Sequence, residues 1–180
     1  KVFESLEGRT ILVIGAGEMS ELTVKHLMAC GAARILVANR TFKRAKELAE
    51  RFKGEAIKFE SLIERMAEAD IVISSTASPG FVVDKSGVAS VMHRRRNRPI
   101  FMIDIALPRD IDPEVGRLYN VFLYDIDDLE SVVQTNLAER ERAAQVCESI
   151  VEREVEDFIA WISTLEVVPT IAALKDKAES

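Results

Sequence analysis

Short, continuously apolar runs rich in β-branched residues recur along the first two thirds of the chain and alternate with segments of helical length. The runs lie at Thr10–Ile14, Arg34–Ala38, Glu55–Phe59, Ile71–Ser74, Ile100–Ile105 and Asn120–Tyr124. Most of them lack polar alternation, which is typical of strands buried on both faces of a parallel sheet. The pattern predicts an α/β fold over residues 1–124, with a doubly wound, Rossmann-like parallel sheet of about six strands.

After Asp125 the pattern changes to that of one long helix. Residues 128–165 contain neither proline nor glycine, and apolar residues recur there at helical spacing. Three aspartates at the start favour a helix N-terminus: Asp125, Asp127 and Asp128. Such a helix would extend about 57 Å at roughly 1.5 Å per residue. The apolar stripe of this helix must be buried against another surface. We therefore expect residues 125–180 to pack against a second copy of the chain or against a further part of it.

Composition excludes several classes of protein. The 24 basic and 30 acidic residues give a formal charge of −6, which argues against binding to nucleic acid by charge alone. No apolar run reaches the roughly 18 residues that a membrane span needs. Two cysteines do not make a disulfide framework, and we see no signal peptide. We therefore expect a cytoplasmic protein without membrane contact, and the start at Lys1 suggests a piece of something longer.

A glycine-rich loop follows the first apolar run and precedes a helical segment, in the order of a dinucleotide-binding turn. Gly15 permits a tight turn, and Gly17 lets a pyrophosphate approach the backbone at the helix N-terminus. Ser20 replaces the third glycine and is small enough for close helix–sheet packing. The predicted cofactor-binding residues of this loop are Gly15, Ala16, Gly17, Glu18, Met19 and Ser20. The alternative is a tight turn without a ligand.

The end of the second run indicates which nucleotide would bind. NAD-specific domains usually place an acid here, for the ribose 2′-hydroxyl. This chain has no acid there, and its basic side chains suit a 2′-phosphate. The predicted residues are Asn39, Arg40, Thr41 and Arg44, with Lys43 nearby. We therefore predict NADPH as the cofactor. The alternative is a solvated helix start, although basic residues at that end oppose the helix dipole.

Two later loops should meet the same edge of the sheet. The hydroxyls and amides that follow the fourth run are predicted to line the nicotinamide ribose, through Ser75, Thr76 and Ala77; a simple turn is the alternative. Asp104 lies at the end of the fifth run, and Arg109 follows that run. They either orient a substrate or neighbouring domain, or brace their own loop.

No metal or catalytic set emerges from the remaining residues. His26 and His93 have no partners at metal-ligand spacing. Cys30 and Cys147 are interpreted as structural, and the arginine run at residues 94–98 as a solvated helix end. We predict no catalytic residue and no metal ligand in this chain.

The chain resembles glutamyl-tRNA reductases in five segments followed by the long helix. These are GAGEMS (Gly15–Ser20), ANRT (Ala38–Thr41), SSTASP (Ser74–Pro79), DIALPRDIDP (Asp104–Pro113) and YDIDDL (Tyr124–Leu129). Shikimate dehydrogenases share similar glycine-loop and NRT elements, whereas the combination is specific. A shikimate- or quinate-dehydrogenase-like oxidoreductase and a non-catalytic NADP-binding oligomerisation module are the alternatives.

The resemblance implies an oxidoreductase that uses NADPH to reduce glutamyl-tRNA to glutamate-1-semialdehyde, in tetrapyrrole (porphyrin and heme) biosynthesis. It also implies an N-terminal catalytic domain with a nucleophilic cysteine, a central NADPH domain, and a helical dimerisation domain on a spinal helix. Neither Cys30 nor Cys147 matches the nucleophile's motif. We therefore expect this chain to bind NADPH without turnover. The implied partners are glutamyl-tRNA, a second copy and, as a further candidate, the next enzyme of the pathway.

Overall fold

A six-stranded parallel sheet organises the first part of the computed structural model, which describes residues 5–165 and 168–178. The strands are β1 Thr10–Ile14, β2 Arg34–Ala38, β3 Glu55–Ile57, β4 Ile71–Ser74, β5 Ile100–Asp104 and β6 Val121–Asp125. Their order is β3-β2-β1-β4-β5-β6, and every neighbouring pair is parallel. The order reverses between β1 and β4, so the sheet is doubly wound, and the predicted fold class is confirmed.

The helices fill the intervals between the strands and then extend beyond them. They are α1 Glu18–Ala29, α2 Phe42–Arg51, α3 Leu62–Met66, α4 Lys85–Arg94, α5 Ile126–Leu165 and α6 Val168–Ala178. Two 3-10 helices lie at Phe59–Ser61 and Pro113–Arg117. The third strand is shorter than predicted, because Phe59 already begins a 3-10 helix. The sixth strand starts at Val121, because Asn120 adopts a left-handed backbone conformation with φ at 59°.

Both faces of the sheet are buried, which explains why the strand sequences are continuously apolar. Leu12 and Ile14 of β1 lie in one hydrophobic cluster, whereas Ile11 and Val13 lie in another. Successive side chains of a strand point to opposite faces, so the two clusters cover the two faces of the sheet.

The arginine run at residues 94–98 is not wholly solvated, contrary to the sequence interpretation. Arg95 is buried, and its guanidinium donates to the carbonyl oxygens of Ala67 (2.9 Å), Ala69 and Pro99 (2.9 Å). Asp70 lies 3.6 Å from the same guanidinium. A buried arginine needs such partners, and here they fasten the end of α4 to the loop before β4.

The long helix α5 has 40 residues and starts at a capping box. The Asp125 carboxylate accepts from the backbone N–H groups of Asp127 (2.9 Å) and Asp128 (3.0 Å). In return, Asp128 accepts from the N–H of Asp125 at 3.0 Å. The N–H of Asp128 is the main reason why the pKa of Asp125 lies below its usual range. The helix therefore begins at Ile126, just before the predicted start.

The chain divides into two compact units, residues 1–129 and 130–180. The division falls within the first turn of α5. The boundary expected from the sequence, between residues 124 and 125, remains a prediction about where the functional domains part. In the described ranges, no helix is long and apolar enough to cross a membrane.

Candidate nucleotide-binding site

A cavity of about 470 Å³ opens at the carboxyl ends of β1, β2 and β4. Strand order reverses at this point, which is where doubly wound sheets bind ligands. The volume lies in the range of small-molecule sites. The lining residues are Gly15, Ala16, Gly17, Asn39, Arg40, Thr41, Arg44, Phe59, Ser75, Thr76, Ala77 and Ser78. Ten of the thirteen predicted binding residues therefore line one cavity, and the other three lie beside it in α1.

The two glycines of the first loop are required for different reasons. Gly15 has a φ of +107°, and a Cβ built on it would lie 2.2 Å from the carbonyl oxygen of Ser75. The fold itself therefore demands glycine at this position. Gly17 has an ordinary φ of −94°, and apart from its two chain neighbours no described residue has an atom within 4 Å of a Cβ built there. The space beside Gly17 is open, as close approach of a ligand to the backbone would require.

The remaining predicted residues of this loop form the first turn of α1. Glu18 and Met19 are exposed, whereas Ser20 is fully buried. The Ser20 hydroxyl finds no hydrogen-bond partner among the described residues. In the part of the chain that the structure describes, no side chain caps α1, and the first N–H groups of a helix have no partner within it. These groups are available to an anion at the cavity edge.

The turn between β2 and α2 is closed by Asn39, whose side-chain amide donates to the carbonyl oxygen of Thr41 at 3.1 Å. Thr41 is the N-cap residue of α2, and neither a side-chain cap nor an acidic residue occupies the first turn of that helix. The helix N-terminus therefore faces the cavity without a negative partner from its own sequence.

The basic side chains of this turn are not neutralised. Within residues 5–165 and 168–178, Arg40, Lys43 and Arg44 form no ion pair with a carboxylate, whereas Arg51 on the same helix pairs with Glu21 at 2.6 Å. Two of them, Arg40 and Arg44, line the cavity. Guanidinium groups without a carboxylate partner are well suited to a phosphate.

Sequence reasoning did not single out Phe59, and it included Ser78 and Asp110 only as members of the segments Ser74–Pro79 and Asp104–Pro113. The predicted third strand includes Phe59, but this residue lines the cavity from a 3-10 helix. Asp110 is fully buried, and its carboxylate accepts from Ser74 Oγ (2.7 Å), Thr76 N (2.8 Å) and Thr76 Oγ1 (2.5 Å). Asp110 therefore stabilises the loop after β4 from the protein interior. One signal was available: Ser74, Thr76 and Ser78 alternate with other residues, so in an extended segment they share a side.

The structure favours the loop-bracing interpretation of Asp104 and Arg109. The Asp104 carboxylate accepts from the backbone N–H groups of Ala106 (3.0 Å), Asp110 (2.9 Å) and Ile111 (2.9 Å). Burial raises the pKa of Asp104, although these N–H groups oppose the shift. Arg109 donates to the backbone carbonyl of Asp104 (3.2 Å) and to the Asp127 carboxylate (2.9 Å). The pair thus ties the loop after β5 to the first turn of α5.

Metal-ligating side chains do not cluster in the part of the chain that the structure describes. No group of three or more His, Cys, Asp or Glu residues there is placed to hold a metal ion. Cys30 and Cys147 are free and exposed.

Two family models match the chain in succession. The model of shikimate / quinate 5-dehydrogenase matches residues 1–132, and that of the glutamyl-tRNA(Glu) reductase dimerisation domain matches residues 146–180. The glutamyl-tRNA reductase of Brevibacillus brevis is 52% identical over 180 residues, covering 100% of this chain and 40% of that protein. The chain belongs to the glutamyl-tRNA reductase family. The match to shikimate / quinate 5-dehydrogenase over residues 1–132 identifies the type of nucleotide-binding domain in this chain.

Solved structures agree with this assignment. Glutamyl-tRNA reductase from Methanopyrus kandleri has a TM-score of 0.75 and 40% identity, over 85% of this chain and 39% of that one. The nucleotide binding domain of glutamyl-tRNA reductase from Thermoplasma volcanium, at 20% identity, shares the fold. It has a TM-score of 0.55 over 76% of this chain and 88% of that one. The chain spans about two fifths of the length of the curated relatives it matches. The fold and the first family match imply a nicotinamide cofactor.

Proposed function

We propose that this chain is the NADPH-binding and dimerisation part of a glutamyl-tRNA reductase, which reduces glutamyl-tRNA to glutamate-1-semialdehyde in tetrapyrrole and heme biosynthesis. The observation that carries the proposal is the cavity, where an open glycine loop shares one space with two guanidinium groups that pair with no carboxylate of the described residues. Identity of 52% over the whole chain favours this enzyme over a shikimate dehydrogenase or a non-catalytic module.

Each wall of the cavity suits one part of NADPH. The N–H groups of the first turn of α1 and the open space at Gly17 suit the pyrophosphate. Arg40 and Arg44 suit the 2′-phosphate, and the segment 75–77 suits the nicotinamide ribose. When bound, NADPH supplies a hydride. The chain's own part is to hold and orient the cofactor.

The reaction itself needs more than this chain contributes. We propose that the isolated chain binds NADPH but does not reduce glutamyl-tRNA, because neither Cys30 nor Cys147 matches the nucleophile expected of the family. Glutamyl-tRNA and the next enzyme of the pathway are partners proposed for the whole protein. The cytoplasmic location expected from composition is part of the same proposal.

Calorimetric titration of the chain with NADPH and with NADH tests the cofactor assignment. Loss of a charge-assisted contact to the 2′-phosphate is worth about 1.5–3 kcal/mol, so NADPH should bind roughly 10- to 150-fold tighter than NADH. Arg40→Ala should remove most of this preference. Lys46→Ala is a matched control, because Lys46 is an exposed cation on the same helix that does not line the cavity. Equal binding of the two nucleotides would contradict the 2′-phosphate assignment, and failure to bind either would contradict the cofactor proposal.

We further propose that a second copy of the chain covers an apolar stripe on α5. Val155, Phe158, Ile159 and Ile162 follow helical spacing and are 43–61% exposed in the single chain. They lie within the segment that matches the dimerisation domain. Light scattering should give the mass of a dimer at tens of micromolar. A monomeric mass would contradict this part of the proposal.

A further inference from the structure

A chain of hydrogen bonds links the Arg40 guanidinium to the buried Asp110 carboxylate. Arg40 Nη2 donates to Ser78 Oγ at 2.5 Å, and the backbone N–H of Ser78 donates to Thr76 Oγ1 at 3.1 Å. Thr76 Oγ1 then donates to Asp110 Oδ1 at 2.5 Å. A guanidinium can only donate and a carboxylate can only accept, so these two ends fix the direction of each bond.

The Asp110 end of this chain is rigid. Asp110 is fully buried, and its second carboxylate oxygen accepts from the Ser74 hydroxyl and the Thr76 N–H. The backbone N–H of Asp110 donates to the Asp104 carboxylate at 2.9 Å. Ser78 is itself only 5% exposed. The loop after β4 therefore offers Arg40 an acceptor with little freedom to move.

The two arginines that line the cavity differ in whether another side chain holds their guanidinium group. Arg40 and Arg44 are both exposed, yet in the described residues only Arg40 donates to another side chain. A long, exposed arginine samples many rotamers, and fixing one of them lowers the conformational cost of binding an anion. Arg40 and Ser78 are 38 residues apart in sequence, so this bond joins two walls of the cavity.

We propose that Ser78, held by Thr76 and Asp110, is a positioning residue that sets the preference for a 2′-phosphorylated nucleotide by orienting Arg40. The inference rests on the proposed function, because it takes the cavity to be the NADPH site. It goes further in assigning part of the specificity to a buried hydroxyl on a different loop from the arginines. Loss of that hydroxyl should weaken NADPH binding and leave NADH binding intact.

The test is Ser78→Ala, with Kd for NADPH and NADH measured by calorimetry. Loss of one hydrogen bond that orients a charged group should raise Kd by a factor of about 3 to 10. We expect NADPH to bind weaker by that factor and NADH to change less than about twofold. Ser90→Ala is the matched control, because the exposed Ser90 hydroxyl donates to the Gly87 carbonyl of its own helix at 2.7 Å and lies outside the cavity. It should leave both Kd values unchanged.

A double-mutant cycle separates positioning from a structural role. If Ser78 acts through Arg40, adding Ser78→Ala to Arg40→Ala should have no further effect on NADPH binding. Equal weakening of NADPH and NADH, or full additivity in the cycle, would overturn the inference. A wild-type chain that prefers NADPH, together with a Ser78→Ala variant that keeps the preference, would overturn this inference alone. A wild-type chain with no preference would instead contradict the proposed function.

Discussion

The substitution Gly17→Ala should weaken cofactor binding while leaving the fold intact. Gly17 has ordinary backbone angles, φ −94° and ψ −179°, and beyond its two chain neighbours a Cβ added there meets no atom of residues 5–165 and 168–178 within 4 Å. Alanine caps a helix less well than glycine, but it also restricts the unfolded chain. These effects oppose each other, so we expect the free energy of unfolding to change by less than about 1 kcal/mol.

The effect on binding follows from the position of the new methyl group. It would occupy the open space beside the first turn of α1, where the N–H groups of Glu18 and Met19 have no partner within the helix. A pyrophosphate displaced from that turn loses at least one charge-assisted hydrogen bond, which is worth about 1.5–3 kcal/mol. NADPH should therefore bind roughly 10- to 150-fold weaker.

Gly15→Ala should instead destabilise the fold itself, because glycine is required there by the protein and not by the ligand. Its Cβ would lie 2.2 Å from the Ser75 carbonyl oxygen, and φ is +107°. Backbone strain alone should lower the free energy of unfolding by about 1–3 kcal/mol. Gly116→Ala is a neutral control, because its Cβ would make an ordinary 3.5 Å contact with Leu123.

Calorimetry with NADPH and urea unfolding, applied to the three variants, check this reasoning. Wild-type affinity in Gly17→Ala would refute the argument that a ligand approaches the backbone there. Unfolding of that variant would show that the fold, rather than the ligand, requires the glycine.

Two further predictions concern stability and titration. Arg95→Ala should lower the free energy of unfolding by about 3–5 kcal/mol, because it removes the buried cation beside Asp70 and the donor to three backbone carbonyls. Arg94→Ala at the exposed neighbouring position should change it little, and urea unfolding of both variants checks this. In NMR titrations of the carboxyl carbons, Asp104 should titrate above the ordinary value of 3.8 because of burial, and Asp125 below it because of the Asp128 N–H. The contribution of Asp104 to the free energy of unfolding is therefore fully present below about pH 3.8 and falls as the pH rises through its folded pKa. The contribution of Asp125 is present above about pH 3.8 and is lost as the pH falls through its folded pKa. Coincident titration of the two groups would contradict either the effect of burial on Asp104 or that of the Asp128 N–H on Asp125.

Local patterns in the sequence were enough to predict the class of fold and the start of the long helix. Continuous apolar runs such as Thr10–Ile14 indicate strands covered on both faces, and the observed sheet has both faces buried. The capping box at Asp125 involves only residues within one turn of each other. Convergence of the glycine loop and the basic turn on one cavity follows from parallel strands, whose carboxyl ends share an edge.

Only the tertiary structure decided which partners the buried polar side chains have. Arg95 looked solvated in a run of arginines, but its acceptors come from Ala67, Ala69 and Pro99 on other segments. Asp110 lies 34 residues from Thr76, and Ser78 lies 38 residues from Arg40. The residue type at each position of the sequence determines whether its side chain can donate or accept a hydrogen bond. Its partner depends on how two distant loops are brought together at the sheet edge, and no local periodicity encodes that.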